Sequence, residues 1–158
     1  MNRSGLLFAG VRQRPSVEDR TKDGLLTAEE ARSLDLDGTQ LVVLSACDSG
    51  MGETAPGQGV YGLRRAFLTA GAETLVTSLW RVDDEATGEL MAMYYQELLD
   101  KQRPGDRLGA MIESMQELRS RQGRQHPYYW APFLVIGADG PLTKPTTNHS
   151  PRRSSIGA

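Results

Sequence analysis

The chain has 158 residues, 39% of them hydrophobic and 24% charged, a balance that fits a folded domain with one sizeable core. Its formal net charge of -2 at pH 7 argues against a general binder of nucleic acid or of a membrane surface. No apolar segment approaches the ~20 residues that span a bilayer, no signal-peptide pattern opens the chain, and a single cysteine without a zinc-spaced partner cluster points to a reducing cytoplasm.

In chain order, "SGLLFAG" (Ser4 to Gly10) predicts a short strand, followed by a polar loop from Val11 to Asp23. Thr27 and Glu30 have the spacing of a capping box, so a short helix is expected to run from there to about Leu34. Leu41 to Ala46 is a continuous apolar, β-branched run, the pattern of a strand buried on both faces. A glycine-bearing loop, Asp48 to Gln58, leads to a helix over Gly59–Ala70 with Val60, Leu63 and Phe67 inward and Gly71 as its stop. Thr74 to Trp80 predicts a second buried strand. Asp83 then starts a helix whose inner stripe is Ala86, Leu90, Met93, Tyr94 and Leu98. Pro104 opens another helix, with Leu108, Met111, Ile112, Met115 and Leu118 inward, and Phe133 to Gly137 forms a last strand. From Pro141 the chain is rich in Thr, Pro, Ser and Arg, so residues 141–158 are expected to be a disordered tail. This order is that of an α/β sheet with helices on its faces and active groups at the carboxyl ends of its strands.

Cys47 stands at such a strand end, just before a polar loop. A lone cysteine is commonly a small buried hydrophobe, but a nucleophilic thiol needs the partial exposure that this position offers. Asp83 and Asp84 follow the next strand; they suit the positive end of a helix dipole, and beside Cys47 they would also attract a cationic side chain. Trp80 fits either an apolar wall beside them or the core. "GQGVYG" (Gly57 to Gly62) matches a dinucleotide-binding pattern, yet some ten residues separate it from the strand that it should follow at once. His126, before Pro127 and three aromatic residues, reads as packing or hydrogen bonding, with general base to Cys47 as the alternative. Asn148-His149-Ser150 is formally a glycosylation sequon, discounted because nothing indicates secretion.

"LVVLSACDSGMGE", "GQGVYGLRRAFLTAGAETLVTSLWRVDDEAT" and "HPYYWAPFLVIG", in that order, resemble the CHAT domain, and "DGLLTAEEARSLDL" before them fits as well. This is the caspase-like family often found behind tetratricopeptide repeats and related to caspases and separase. The resemblance implies an α/β, three-layer caspase-like fold with a mostly parallel sheet. Its domain would occupy residues 1–140 as the C-terminal part of a CHAT domain that is N-terminally incomplete.

The resemblance further implies a cysteine endopeptidase with a His–Cys dyad and no metal or organic cofactor. The nucleophile maps onto Cys47. The family's base belongs to a His-Gly pair ending an earlier strand, whereas the two histidines here, His126 and His149, both follow Cys47. Activity from these residues alone is therefore not expected. Asp84, with Asp83, would recognise an Arg or Lys before the scissile bond of a protein or peptide substrate. Three alternatives stand beside this reading: completion by a tetratricopeptide-repeat or other upstream segment or by another chain, a non-catalytic scaffold of the same fold, and nucleotide binding through Gly57–Gly62.

Overall fold

The computed structural model describes residues 5–8, 24–45, 58–80, 83–100 and 105–143. Strand β1 (Gly5–Leu7) pairs antiparallel with β2 (Leu25–Thr27). The expected first strand is present, though shorter. β2 has no counterpart in the sequence reading, because three residues leading into a capping box carry no strand periodicity of their own. The capping box itself forms as its spacing predicts. Thr27 Oγ1 accepts from the Glu30 amide at 3.2 Å, and the Thr27 amide donates to Glu30 Oε2 at 2.8 Å, starting helix α1 (Ala28–Arg32).

The central sheet contains β3 (Val42–Leu44), β4 (Thr74–Ser78) and β5 (Phe133–Gly137) in the order β3-β4-β5. β3 and β4 are parallel, with Val43 opposite Val76, and helix α2 (Gln58–Thr69) connects them. β5 returns antiparallel to β4, with Val135 opposite Val76.

Alternation along the strands sorts side chains to two faces. Val43, Val76 and Val135 meet helices α3 (Asp84–Leu98) and α4 (Arg107–Ser120) through Leu90, Tyr94 and Met111. Val42, Leu44 and Leu75 meet α2 through Leu63 and Phe67 and α1 through Ala31. The result is the α/β, three-layer arrangement expected, with a mixed sheet between two helical layers. β4, the middle strand, is buried along its whole length.

The sequence pattern requires correction at two places. Leu41 to Leu44 are half-buried, not enclosed, because β3 has only one strand neighbour among the described residues. On α4 the inward stripe is rotated from the expected one. Leu108 and Ile112 are 43% and 44% exposed, whereas Arg107, Ala110, Met111, Ser114 and Leu118 are buried. Ser114 tolerates burial because its hydroxyl donates to the Ala110 carbonyl at 2.7 Å. Arg107 tolerates it because Glu73 Oε2 and Gln40 Oε1 accept from its guanidinium at 2.9 and 3.3 Å. The helix is capped by the side chain of Asp106, and the expected opener Pro104 lies outside the described residues.

On α3 all five inner residues, Ala86, Leu90, Met93, Tyr94 and Leu98, are buried as the periodicity predicts. The Tyr94 hydroxyl is buried with no hydrogen-bond partner among the described residues, and burial pushes its pKa up to about 12. The raised value means that the folded state keeps a proton which the unfolded chain releases above pH ~10. Stability is therefore unaffected by this group below pH ~10 and falls as pH rises toward about 12. Tyr94→Phe is expected to match the parent at neutral pH or exceed it by ~1 kcal/mol, since the unpaired hydroxyl is removed while the ring stays. It is also expected to lose less stability between neutral pH and pH 11. Urea titrations at the two pH values measure both effects.

Candidate active site

Because β3 and β4 are parallel, their carboxyl ends lie side by side, with Leu44 opposite Thr77. The described part of β3 leaves the sheet at Ser45, two residues before Cys47 in the chain. Cys47 itself, the loop to Gly57, and Arg81 lie outside the described residues. β4 leaves the sheet at the same end through Leu79 and Trp80 and reaches α3 at Asp83. The start of α3 thus belongs to the sheet end toward which β3 carries the chain.

The two carboxylates there have different tasks. Asp83 is the N-cap of α3, and its Oδ1 accepts from the Ala86 amide at 2.9 Å. Asp84 is exposed in the first turn, where the helix dipole favours a negative charge. Asp83 is therefore engaged in building the turn that presents Asp84.

Behind this turn stands Arg124. Its guanidinium donates to Glu89 Oε1 at 2.7 Å and lies 3.1 Å from Glu85 Oε2 and 3.9 Å from Asp83 Oδ1. It also lies over the Tyr129 ring, 5.3 Å from the centroid. Arg121 reaches the other oxygen of Glu89 at 3.1 Å. The Arg124 hydrogen bond, helped by Arg121, holds the Glu89 carboxyl below its usual range although partial burial opposes this. The same contacts, Glu89 first, raise Arg124 above its ordinary value. One cation therefore ties the first two turns of α3 to the segment after α4.

That segment leads into a short helix, α5 (Pro127–Trp130), which the sequence reading missed. His126 is its N-cap, and its Nδ1 accepts from the Tyr128 amide at 3.2 Å. The hydrogen-bonding role expected for this residue is the one found. Trp80 donates from Nε1 to the Tyr128 carbonyl at 3.4 Å, and the Leu79 amide donates to the Pro132 carbonyl at 2.7 Å. The end of β4 is thus held against α5, with Trp80 partly exposed beside it.

The nucleotide-binding pattern does not acquire its required geometry. β3 ends at Leu44 and α2 begins at Gln58, so Gly59 and Gly62 lie inside the helix, not in a turn directly after the strand. Among the described residues, no group of three or more His, Cys, Asp and Glu side chains could hold a metal ion. Among the same residues, no helix is long and apolar enough to cross a membrane.

Two signals in the sequence could have located the clamp and the short helix. Glu85 and Glu89 are one turn apart on α3, a spacing that invites a cation from elsewhere. Pro127 directly after a side chain able to accept a hydrogen bond is a helix-start pattern.

The CHAT domain family model matches residues 1–138. The chain is similar to tetratricopeptide repeat protein 28 of Homo sapiens, 36% identical over 123 residues, which are 78% of this chain and 5% of that protein. It is similarly related to tetratricopeptide repeat protein 28 of Mus musculus, 35% identical over the same share of each chain. The chain thus spans about 5% of the length of these relatives.

Proposed function

This chain belongs to the CHAT domain family, and from that premise we propose that it carries the nucleophile and the basic-residue pocket of a caspase-like cysteine endopeptidase. At the family level the domain is of the caspase-like peptidase type. The observation that supports the finer reading is the parallel pairing of β3 with β4. It brings the strand leading to Cys47 and the strand leading to Asp84 to one end of the sheet.

In this reading the Cys47 thiolate attacks the carbonyl carbon of the Arg or Lys that precedes the scissile bond. The resulting tetrahedral oxyanion collapses with release of the amine, and water then hydrolyses the acyl-enzyme. Asp84 meets the cationic side chain of the substrate, Asp83 holds the turn, and Trp80 lines the approach. The imidazole that protonates the leaving amine comes from outside residues 1–158, since both histidines here follow Cys47. An upstream or neighbouring tetratricopeptide-repeat segment suits that role, given the names of the relatives. No metal or organic cofactor enters this chemistry. A cysteine kept as a thiol suits a reducing cytoplasm. The boundary expected near residue 140 moves to just after Thr143, because Leu142 packs against the core and the Thr143 carbonyl accepts from the Gln40 side chain at 2.8 Å, and the tail would be the residues beyond it. The second reading, a scaffold that keeps the fold without catalysis, is favoured by the lack of a histidine before Cys47 within these residues.

The test uses two electrophilic acyloxymethyl-ketone peptides that differ only in Arg or Asp beside the reactive group. Since the chain has one cysteine, mass spectrometry assigns the adduct without ambiguity. The Arg probe is expected to label Cys47 at least about tenfold faster than the Asp probe, a modest electrostatic preference. Asp84→Asn is expected to remove that difference while thermal stability is kept. Equal labelling by the two probes would leave the scaffold reading in its place.

A further inference from the structure

On the α2 side of the sheet, a cavity of about 460 Å³ is lined by Tyr61, Arg64, Arg65, Leu68, Thr69 and Ile136, the last opposite Leu75 near the amino end of β4. The first five recur along one side of α2 at helical spacing, and Ile136 belongs to β5. The cavity exists because α2 packs over Leu75 and the partly buried β3, while β5 is left less covered. Leu134 is exposed and Ile136 half-buried on this strand.

Three features specify an occupant. The floor is apolar, through Leu68 and Ile136, and asks for an apolar side chain. The wall carries two guanidinium-bearing residues and no carboxylate. Arg64 Nε is buried with no hydrogen-bond partner among the described residues, and among them neither arginine forms an ion pair. β5 is also an edge strand, paired only with β4 among the described residues. Its bonded positions to β4 include Ala138, whose amide donates to the Glu73 carbonyl at 2.8 Å, and Pro132, which accepts from the Leu79 amide. Antiparallel alternation then directs the backbone groups of Phe133, Val135 and Gly137 to the open edge.

We propose that this groove binds an acidic, extended peptide segment of a separate protein, paired along β5. A carboxylate of the segment meets Arg64 and Arg65, and an apolar side chain two positions away rests on Leu68 and Ile136. Residues two apart in a strand share a face, so both side chains reach the α2 side together. A carboxylate pairs with a guanidinium by parallel hydrogen bonds, which satisfies the Arg64 donor. Addition of a strand to an open edge supplies the remaining contacts through the main chain. This site does not depend on Cys47 or on peptidase activity.

The test is fluorescence anisotropy of the whole chain with labelled Ser-Leu-Thr-Glu-Thr-Ser, and with versions carrying Lys for Glu or Ala for Leu. The parent peptide is expected to bind with a Kd of about 10–100 µM, and each altered peptide at least about tenfold more weakly. Arg64→Gln combined with Arg65→Gln is expected to weaken the parent peptide by a similar factor. The exposed Arg65→Gln alone gives the reading if the double variant does not fold. Absence of binding by the parent peptide, or equal binding of the Lys version, overturns the proposal. So does a dimer, seen by sedimentation, that dissociates in the Arg65→Gln variant, because the groove would then hold a second copy of the chain.

Discussion

Residues 1–158 preceded by a segment ending in His-Gly are expected to cleave a reporter peptide with Arg before the scissile bond at least ~10³-fold faster than residues 1–158 alone. A free thiol with a pKa near ~8.5 is only a few per cent thiolate at neutral pH. Asp48 is next in the chain, and a carboxylate close to the thiol would disfavour the thiolate further by like charge. The nearest described imidazole in sequence, His126, is engaged at Nδ1 in capping α5, and that helix holds the Trp80 end of β4. A general base contributes ~10²–10⁴-fold, and one oxyanion donor about 10²–10³-fold. Supplied together by a single His-Gly pair, the two factors multiply to at least ~10⁴-fold, which leaves about a factor of ten for imperfect positioning before the stated threshold is reached. Cys47→Ala in the extended protein is expected to remove the turnover, and His126→Ala to leave it in place. Strong turnover by residues 1–158 alone, lost in Cys47→Ala, would show that the base is already present. Absence of turnover in the extended protein would favour the scaffold.

The sheet and α3 were legible because their signals are local. The apolar runs around Val42–Leu44 and Thr74–Ser78, with a helix between them, imply a parallel pair, and the five inner residues of α3 keep strict helical spacing. The errors fall where a long-range partner changes what a residue can do. Arg107 reads as a surface residue, yet Glu73, 34 positions earlier, lets it enter the core and turns α4 about its axis. β2 is defined by pairing with β1, across residues that carry no pattern of their own. Four-residue α5 makes barely one turn, too short to repeat the apolar stripe by which helices are read.

The same limit applies to the candidate site. Asp83 and Asp84 were visible as a pair opening a helix, but their different tasks were not. The cap itself is a local contact, Asp83 Oδ1 to the Ala86 amide at 2.9 Å, and Arg124, which reaches α3 from beyond α4, approaches the same carboxylate at 3.9 Å. Charge alone made the two aspartates equivalent; the cap and the clamp make one structural and leave the other presented.

Gly137→Ala is expected to destabilise the fold by about 3–5 kcal/mol, a fall in Tm on the order of 10 °C. Two costs combine at this position. Gly137 has φ +113°, which an L-residue adopts only with strain. An added Cβ would also press on the Glu73 carbonyl oxygen, a backbone atom that cannot rotate away. That carbonyl accepts from the Ala138 amide at 2.8 Å, and the Glu73 side chain holds the buried Arg107 at 2.9 Å. Moving residue 73 therefore loosens the end of the β4–β5 pairing and the partner of a cation that is 3% exposed. Gly38→Ala separates the two costs, because Gly38 has φ +82° but nothing within 4 Å of the added atom. It is expected to lose only about 1–2 kcal/mol, the conformational part alone. Urea titration of both variants measures the difference. A Gly137→Ala cost within ~0.5 kcal/mol of that of Gly38→Ala, inside the few tenths that denatured-state effects add to such comparisons, would show that this strand end relaxes around the new methyl group without disturbing Arg107.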